Sequence, residues 1–350
     1  MTEHEYASVR GSLDVPDDLD AFQADMLRRN LGDGLPLIPP TPARMTSMLE
    51  ASGREPEEVI AVLPPARGKA TVESIAANAV MAGCLPQDLP VLLATVDALA
   101  DDAFNLYGIQ DTTNPVTPLV LINGPARIDL EMNVGVNAFG PGNRANATIG
   151  RAVRLILLNI GGGYPGEFDR ATQGQPAKYT FCVPENEERN PWEPFHVEQG
   201  FEASVSAVSV LGVQAFHNII DLTASTAEEL LDMLAAGMAA MATNNVTHGG
   251  QTALALAPEH AELLHRDGLS KHDVRRYLFE RARLDITGMP EAFRELMRTR
   301  RPRWVHERAF PITDEASDIN LFVVGGPGIH SAFLPMFGST DAITRSVAPV

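Results

Sequence analysis

Leu119-Val-Leu-Ile-Asn-Gly-Pro125 decides the fold class. It is a short run, apolar on every position, that ends in a turn, and a strand with no polar alternation belongs in a sheet covered on both faces. Three further stretches repeat the pattern: Ala207-Val-Ser-Val-Leu-Gly-Val-Gln-Ala-Phe-His217, Ala253-Leu-Ala-Leu-Ala-Pro-Glu-His260 and Leu321-Phe-Val-Val-Gly-Gly-Pro-Gly-Ile-His330. Between and around them helical spacing predicts helices over 17–31, 42–53, 71–83, 86–100, 144–160, 225 onward, 270–283 and 290–300. The expectation is an α/β protein with mixed or mostly parallel sheets covered by helices and a long irregular functional loop. Residues 1–16 read as a loose arm and 17–350 as the α/β body. A variant of that division has two lobes, about 17–165 and 200–350, bridged by the 165–199 loop.

The chain has 350 residues, 45 Asp+Glu against 27 Lys+Arg, a formal charge of -18 and 45% apolar residues. So acidic a surface repels phosphate backbones, which argues against a nucleic-acid partner. No run approaches 18 uninterrupted apolar residues, so no membrane partner is expected. Met1 to Arg10 is charged and lacks an apolar core, so no secretory signal is read there and the cytoplasm is the expected location. Cys84 and Cys182 stand alone, which excludes a disulfide framework and a thiolate zinc site.

The segment from Asn133 to Thr148 is rich in Gly and Asn and leads into the 144–160 helix. Arg144, Thr148 and Arg151 share one face of it at spacings of four and three. An arginine on a buried helix needs a partner. One reading is an anion pocket, in which Asn143, Arg144, Asn146, Thr148 and Arg151 bind substrate. The other is that the arginines are ties to internal carboxylates. Gly140-Pro-Gly142 matches neither phosphate-loop nor dinucleotide fingerprints.

From Pro165 to His196 the sequence offers little regular structure beyond a short strand over 178–183, yet it holds aromatics, a cysteine and many hydrogen-bonding side chains. Disordered loops lack such aromatics, so the segment is expected to be ordered, forming either a site or a subunit interface. Glu185 and Glu187 are candidate proton-transfer carboxylates, and Arg170, Gln173 and Lys178 candidate substrate-binding groups. Cys182 is the cysteine placed for chemistry, near Lys178 and His196; a buried, inert thiol is the alternative. His217 and His330, each in a turn, are further catalytic candidates. No paired-histidine motif indicates a metal. A divalent ion would have to be assembled from loops by His217, His248 and His330.

Several stretches carry a resemblance: Gly34-Leu-Pro-Leu-Ile-Pro-Pro40, 73–86, Asn123-Gly-Pro125, 140–152, Asp169-Arg-Ala-Thr-Gln-Gly-Gln-Pro176 and Pro191-Trp-Glu-Pro-Phe-His196. Over most of residues 30–340 the chain resembles a largely uncharacterised bacterial family often encoded beside small thiol or selenol proteins with a Cys-Gly-Ser-Cys or Sec-Gly-Ser-Cys motif. The resemblance implies a two-component system in which a small partner supplies the reactive sulfur or selenium. It transfers no catalytic roles.

The expected function is an enzyme, or the larger component of one, acting on a small polar or anionic substrate by proton transfer and charge stabilisation, of lyase or hydratase type, with no cofactor required. The alternatives are a loop-assembled metal-dependent hydrolase and a non-catalytic scaffold subunit for the thiol or selenol partner. A homo-oligomer is expected in each case.

Overall fold

The computed structural model describes residues 18–240 and 243–348; the arm expected over 1–16 lies outside the described residues. Its centre is built from strands β1 (Thr117–Asn123), β2 (Cys182–Pro184), β3 (Ala207–Val213), β4 (His217–Ile220), β5 (Thr252–Leu256), β6 (Ile319–Val323), β7 (His330–Leu334) and β8 (Ile343–Ser346). They form two four-stranded sheets, ordered β2-β1-β3-β8 and β6-β5-β7-β4. In the first sheet β1 and β2 are parallel while β3 and β8 join by antiparallel pairing. The second sheet repeats this, with β5 and β6 parallel and β7 and β4 added antiparallel. The sheets are therefore mixed.

The repetition shows how the chain is organised. Residues 117–220 supply three strands to the first sheet and their fourth, β4, to the second. Residues 252–346 supply three to the second and their fourth, β8, to the first. The two halves thus exchange edge strands. Where β3 and β7 leave their sheets they meet, with Val213 bridged to Met336 and Gln214 N donating to Pro335 O at 2.8 Å. Each sheet therefore takes strands from both halves of the chain.

The apolar character of the strands follows from the layers. Alternate residues of β1, Leu119 and Leu121, pack with Leu211, Phe322 and Leu334 between the sheets. The intervening Val120 and Ile122 face the helices α1 (Val72–Ala82), α2 (Leu89–Leu99) and α3 (Arg144–Asn159). On the far side Leu254, Leu321 and Phe333 face α4 (Ala227–Met238), α5 (Pro258–Arg266) and α6 (Lys271–Arg281). The order is helices, sheet, sheet, helices, so both faces of both sheets are dry. No helix among the described residues is long and apolar enough to cross a membrane.

Candidate functional site

At the carboxyl ends of β1 and β2, buried polar side chains converge. β1 ends at Asn123, and the turn Gly124-Pro125 enters a short helix carrying Arg127. β2 ends at Pro184 and delivers Glu185 and, two residues on, Glu187. The Asn123 amide Nδ2 donates to both carboxylates, at 2.6 Å to Glu185 Oε2 and 2.9 Å to Glu187 Oε1.

Counting donors separates the two acids. Glu185 is fully buried, and its oxygens receive four: Asn123, Phe195 N (2.7 Å), Asn190 Nδ2 (2.8 Å) and Val323 N (3.4 Å). A carboxylate has about four lone-pair positions, so Glu185 has none left for a substrate proton. Burial pushes its pKa up, opposed by the Lys271 charge, Phe195 N–H and the Asn123 amide. It anchors the cluster. Glu187 receives only three, from Asn123, Gly124 N (2.8 Å) and Arg127 Nη2 (2.9 Å), and its side chain is 13% exposed.

Arg127 is spent on structure. Its Nε bonds Gly124 O, Nη1 bonds Glu185 O and Glu188, and Nη2 bonds Glu187 and Glu188, which uses all five guanidinium N–H groups. The last member is His196, on the short helix Phe195–Glu198. It is fully buried, Nδ1 lies 3.9 Å from Glu187 Oε1, and neither ring nitrogen has a hydrogen bond of ordinary geometry. Burial lowers its pKa, while the Glu187 carboxylate and the nearby backbone of Ala203 and Glu202 favour the protonated ring. Asn123 Oδ1 is likewise buried without a partner. The helix is held from the other half of the chain: Glu198 meets Lys271 Nζ at 2.9 Å and Arg275 Nη1 at 2.9 Å, and Trp192 Nε1 donates to Leu269 O.

The other sequence candidates lie elsewhere. The loop does fold against α3, where Thr180 Oγ1 donates to Ala147 O at 2.7 Å. Yet the guanidiniums of that helix's first turns do not face an open pocket. Arg144 pairs with the buried Asp88 at 2.5 Å and Arg151 with Asp33 at 2.8 Å, so the reading as internal ties is the one the geometry follows. Asn143 caps α3, and Asn146 clamps the preceding loop through Asn133 and Ala138. Thr148 Oγ1 is buried without a partner. Lys178 pairs with Asp169 at 2.5 Å, and Arg170 is exposed and among the described residues bonds only Glu167 O. Cys182 is buried, and burial drives its thiol pKa upward, the reverse of an activated nucleophile. His330, bonded to Asn218, sits opposite Ile220 and His217 opposite Phe333, so they mark different ends of the β4–β7 pair. His248 packs against Gly338, beyond the far end of β7. Among the described residues no group of three or more His, Cys, Asp or Glu stands in metal-binding geometry.

No protein-family model, curated protein or solved structure matches the chain. The chemistry of the cluster is therefore argued from its own residues. Sequence reasoning identified Glu185 and Glu187 but passed over Asn123, Arg127 and His196. The available signal was that Asn123-Gly-Pro125 and Glu185 both close parallel strands.

Gln173 lies at the opposite end of the sheets, in an open cleft of about 640 Å³ that also holds Thr113, Asn114, Asn244, His248 and Ser339. Arg300 Nη1 donates to His248 Nε2 at 2.5 Å. Burial and the Arg300 charge lower the pKa of that imidazole.

Proposed function

We propose that this chain is an enzyme, or the larger component of one, that moves a proton on a small polar or anionic substrate, in the manner of a lyase or hydratase. The observation that supports it is the Glu187–His196 pair: a fully buried imidazole with only loose backbone contacts at Glu202 and Ala203, 3.9 Å from a carboxylate that keeps one lone-pair position free. Buried polar atoms without partners are rare and mark places where something else binds. Catalytic hydrogen bonds are often long in the free enzyme and tighten on the substrate. In this reading neutral His196 accepts the substrate proton, and Glu187 stabilises the imidazolium that forms. Asn123 Oδ1 offers an acceptor to a substrate hydroxyl. The turn 199–204, exposed except at the half-buried Phe201, carries the Glu202 and Ala203 backbone that borders the imidazole. A partner carrying a reactive thiol or selenol is compatible with this reading as the second component.

The test is hydrogen–deuterium exchange at carbon. Pools of small hydroxy and carboxylic acids are incubated with the full chain in D2O and followed by proton NMR. Enzyme-dependent loss of a C–H signal is expected for at least one compound, with the rate lowered 10²–10⁴-fold in His196→Gln and in Glu187→Gln, the usual span of general acid–base catalysis. Exchange that survives both substitutions, or none in any pool, overturns the assignment.

A further inference from the structure

We propose that the cleft at the other end of the sheets is a binding site for a small anionic ligand whose body carries hydroxyl or amide groups. Three observations converge on that chemistry. First, hydrogen-bonding side chains without formal charge dominate the lining. Among the described residues no partner meets the side chains of Thr113 and Gln173, which leaves a hydroxyl and a carboxamide free for a ligand.

Second, a chain of formal charge -18 keeps every Asp and Glu out of this lining, and the Arg300 guanidinium stands at its edge with no carboxylate partner among the described residues. Among the described residues Arg300 bonds only His248, which leaves most of its N–H groups without a described partner at the cleft's edge. Free positive charge beside neutral hydrogen-bonding groups selects an anion with a polar body.

Third, the walls are preformed. Thr172 N donates to Thr113 O at 3.0 Å, Asn244 Nδ2 to Phe337 O at 2.9 Å and Asn105 Nδ2 to Ser339 O at 3.2 Å. Phe337, which lines the cleft, is fixed by its N–H to Gly212 O at 3.0 Å. Small-molecule sites are concave and largely formed before the ligand arrives, and this cleft is both. It is separated from Glu187 and His196 by the length of the strands, so the site stands whether or not the proton-transfer reading does.

Isothermal titration of the full chain tests it with two matched pairs, gluconate with glucose and glycerol 3-phosphate with glycerol. At least one anion is expected to bind at least tenfold more tightly than its neutral counterpart, the size of one charge-assisted hydrogen bond. Arg300→Gln should erase that preference, Gln173→Ala should weaken the anion's binding, and His196→Gln should leave binding unchanged. If neither anion binds, if both members of each pair bind equally, or if Arg300→Gln binds as the wild type does, the proposal is overturned. Loss of binding in His196→Gln would place the ligand at the other end of the sheets and overturn it equally.

Discussion

Asn123 carries more of the polar cluster than either acid it touches. One amide nitrogen holds two carboxylates that would otherwise repel across a dry space. Asn123→Ala leaves Glu185 and Glu187 each one donor short, and a buried acceptor deprived of its partner costs about 1–3 kcal/mol. Urea denaturation should show a loss of that order. A loss under about 0.5 kcal/mol would mean the amide is not bridging. Asn123→Asp should cost more, since it adds a third negative charge where a donor stood. The arginines of α3 teach the complementary lesson. Their shared face was legible from spacing alone, but their partners were not: Asp88 lies 56 residues from Arg144 in sequence, and Asp33 lies 118 from Arg151. Periodicity assigns a face; it says nothing of which distant carboxylate arrives there. Arg154, one turn further along the same helix, hydrogen-bonds Lys178 O and Thr117 Oγ1, and Asp169 and Asp33 act on it only through their charge.

At the scale of elements, local rules placed the helices well. The predicted segments 71–83, 86–100 and 270–283 appear as Val72–Ala82, Leu89–Leu99 and Lys271–Arg281. Ser225-Thr-Ala-Glu228 has the pattern of a capping box at the start of α4, but the box that forms joins Thr226 to Glu229, one residue later. Ser225 still bonds the same Glu229 carboxylate, which is why the pattern misled by one. The irregular loop was harder, because its order comes from contacts with other elements. Its approach to α3 depends on Gly150: a Cβ there would stand 2.4 Å from Thr180 Oγ1 and 2.6 Å from Phe181 N. Gly150→Ala must push the strand-bearing segment away from the helix, and overpacking of this kind costs about 1–3 kcal/mol. Gly288→Ala, where nothing lies within 4 Å, is the control. A thermal melt should show a clear drop for the first and almost none for the second; equal behaviour would mean the loop does not depend on this contact.

Across the whole molecule, the four apolar runs foretold strands buried on both faces, and the two stacked sheets flanked by helices explain why no polar alternation was present. The exchange of edge strands between halves was not legible. β4 and β8 are short, and β4 exposes three of its four residues, so neither carries a strong signal of its own. That exchange also fixes the site: Asn186 N donates to Val323 O at 2.7 Å and Asn186 Nδ2 to Gly325 O at 2.9 Å, so the second half of the chain braces the carboxylates of the first. The cluster is thus a product of the full assembly of sheets, and the proton-transfer reading proposed for it rests on the coupling of Glu187 to His196. NMR titration of the His196 ring in the wild type and in Glu187→Gln measures that coupling directly. Burial should hold the wild-type ring below the ordinary value of 6.5. Because the Glu187 carboxylate favours the protonated ring, its neutralisation should lower the pKa further. A ring that titrates at or above 6.5, or one indifferent to Glu187→Gln, would contradict the pairing on which the proton-transfer reading depends.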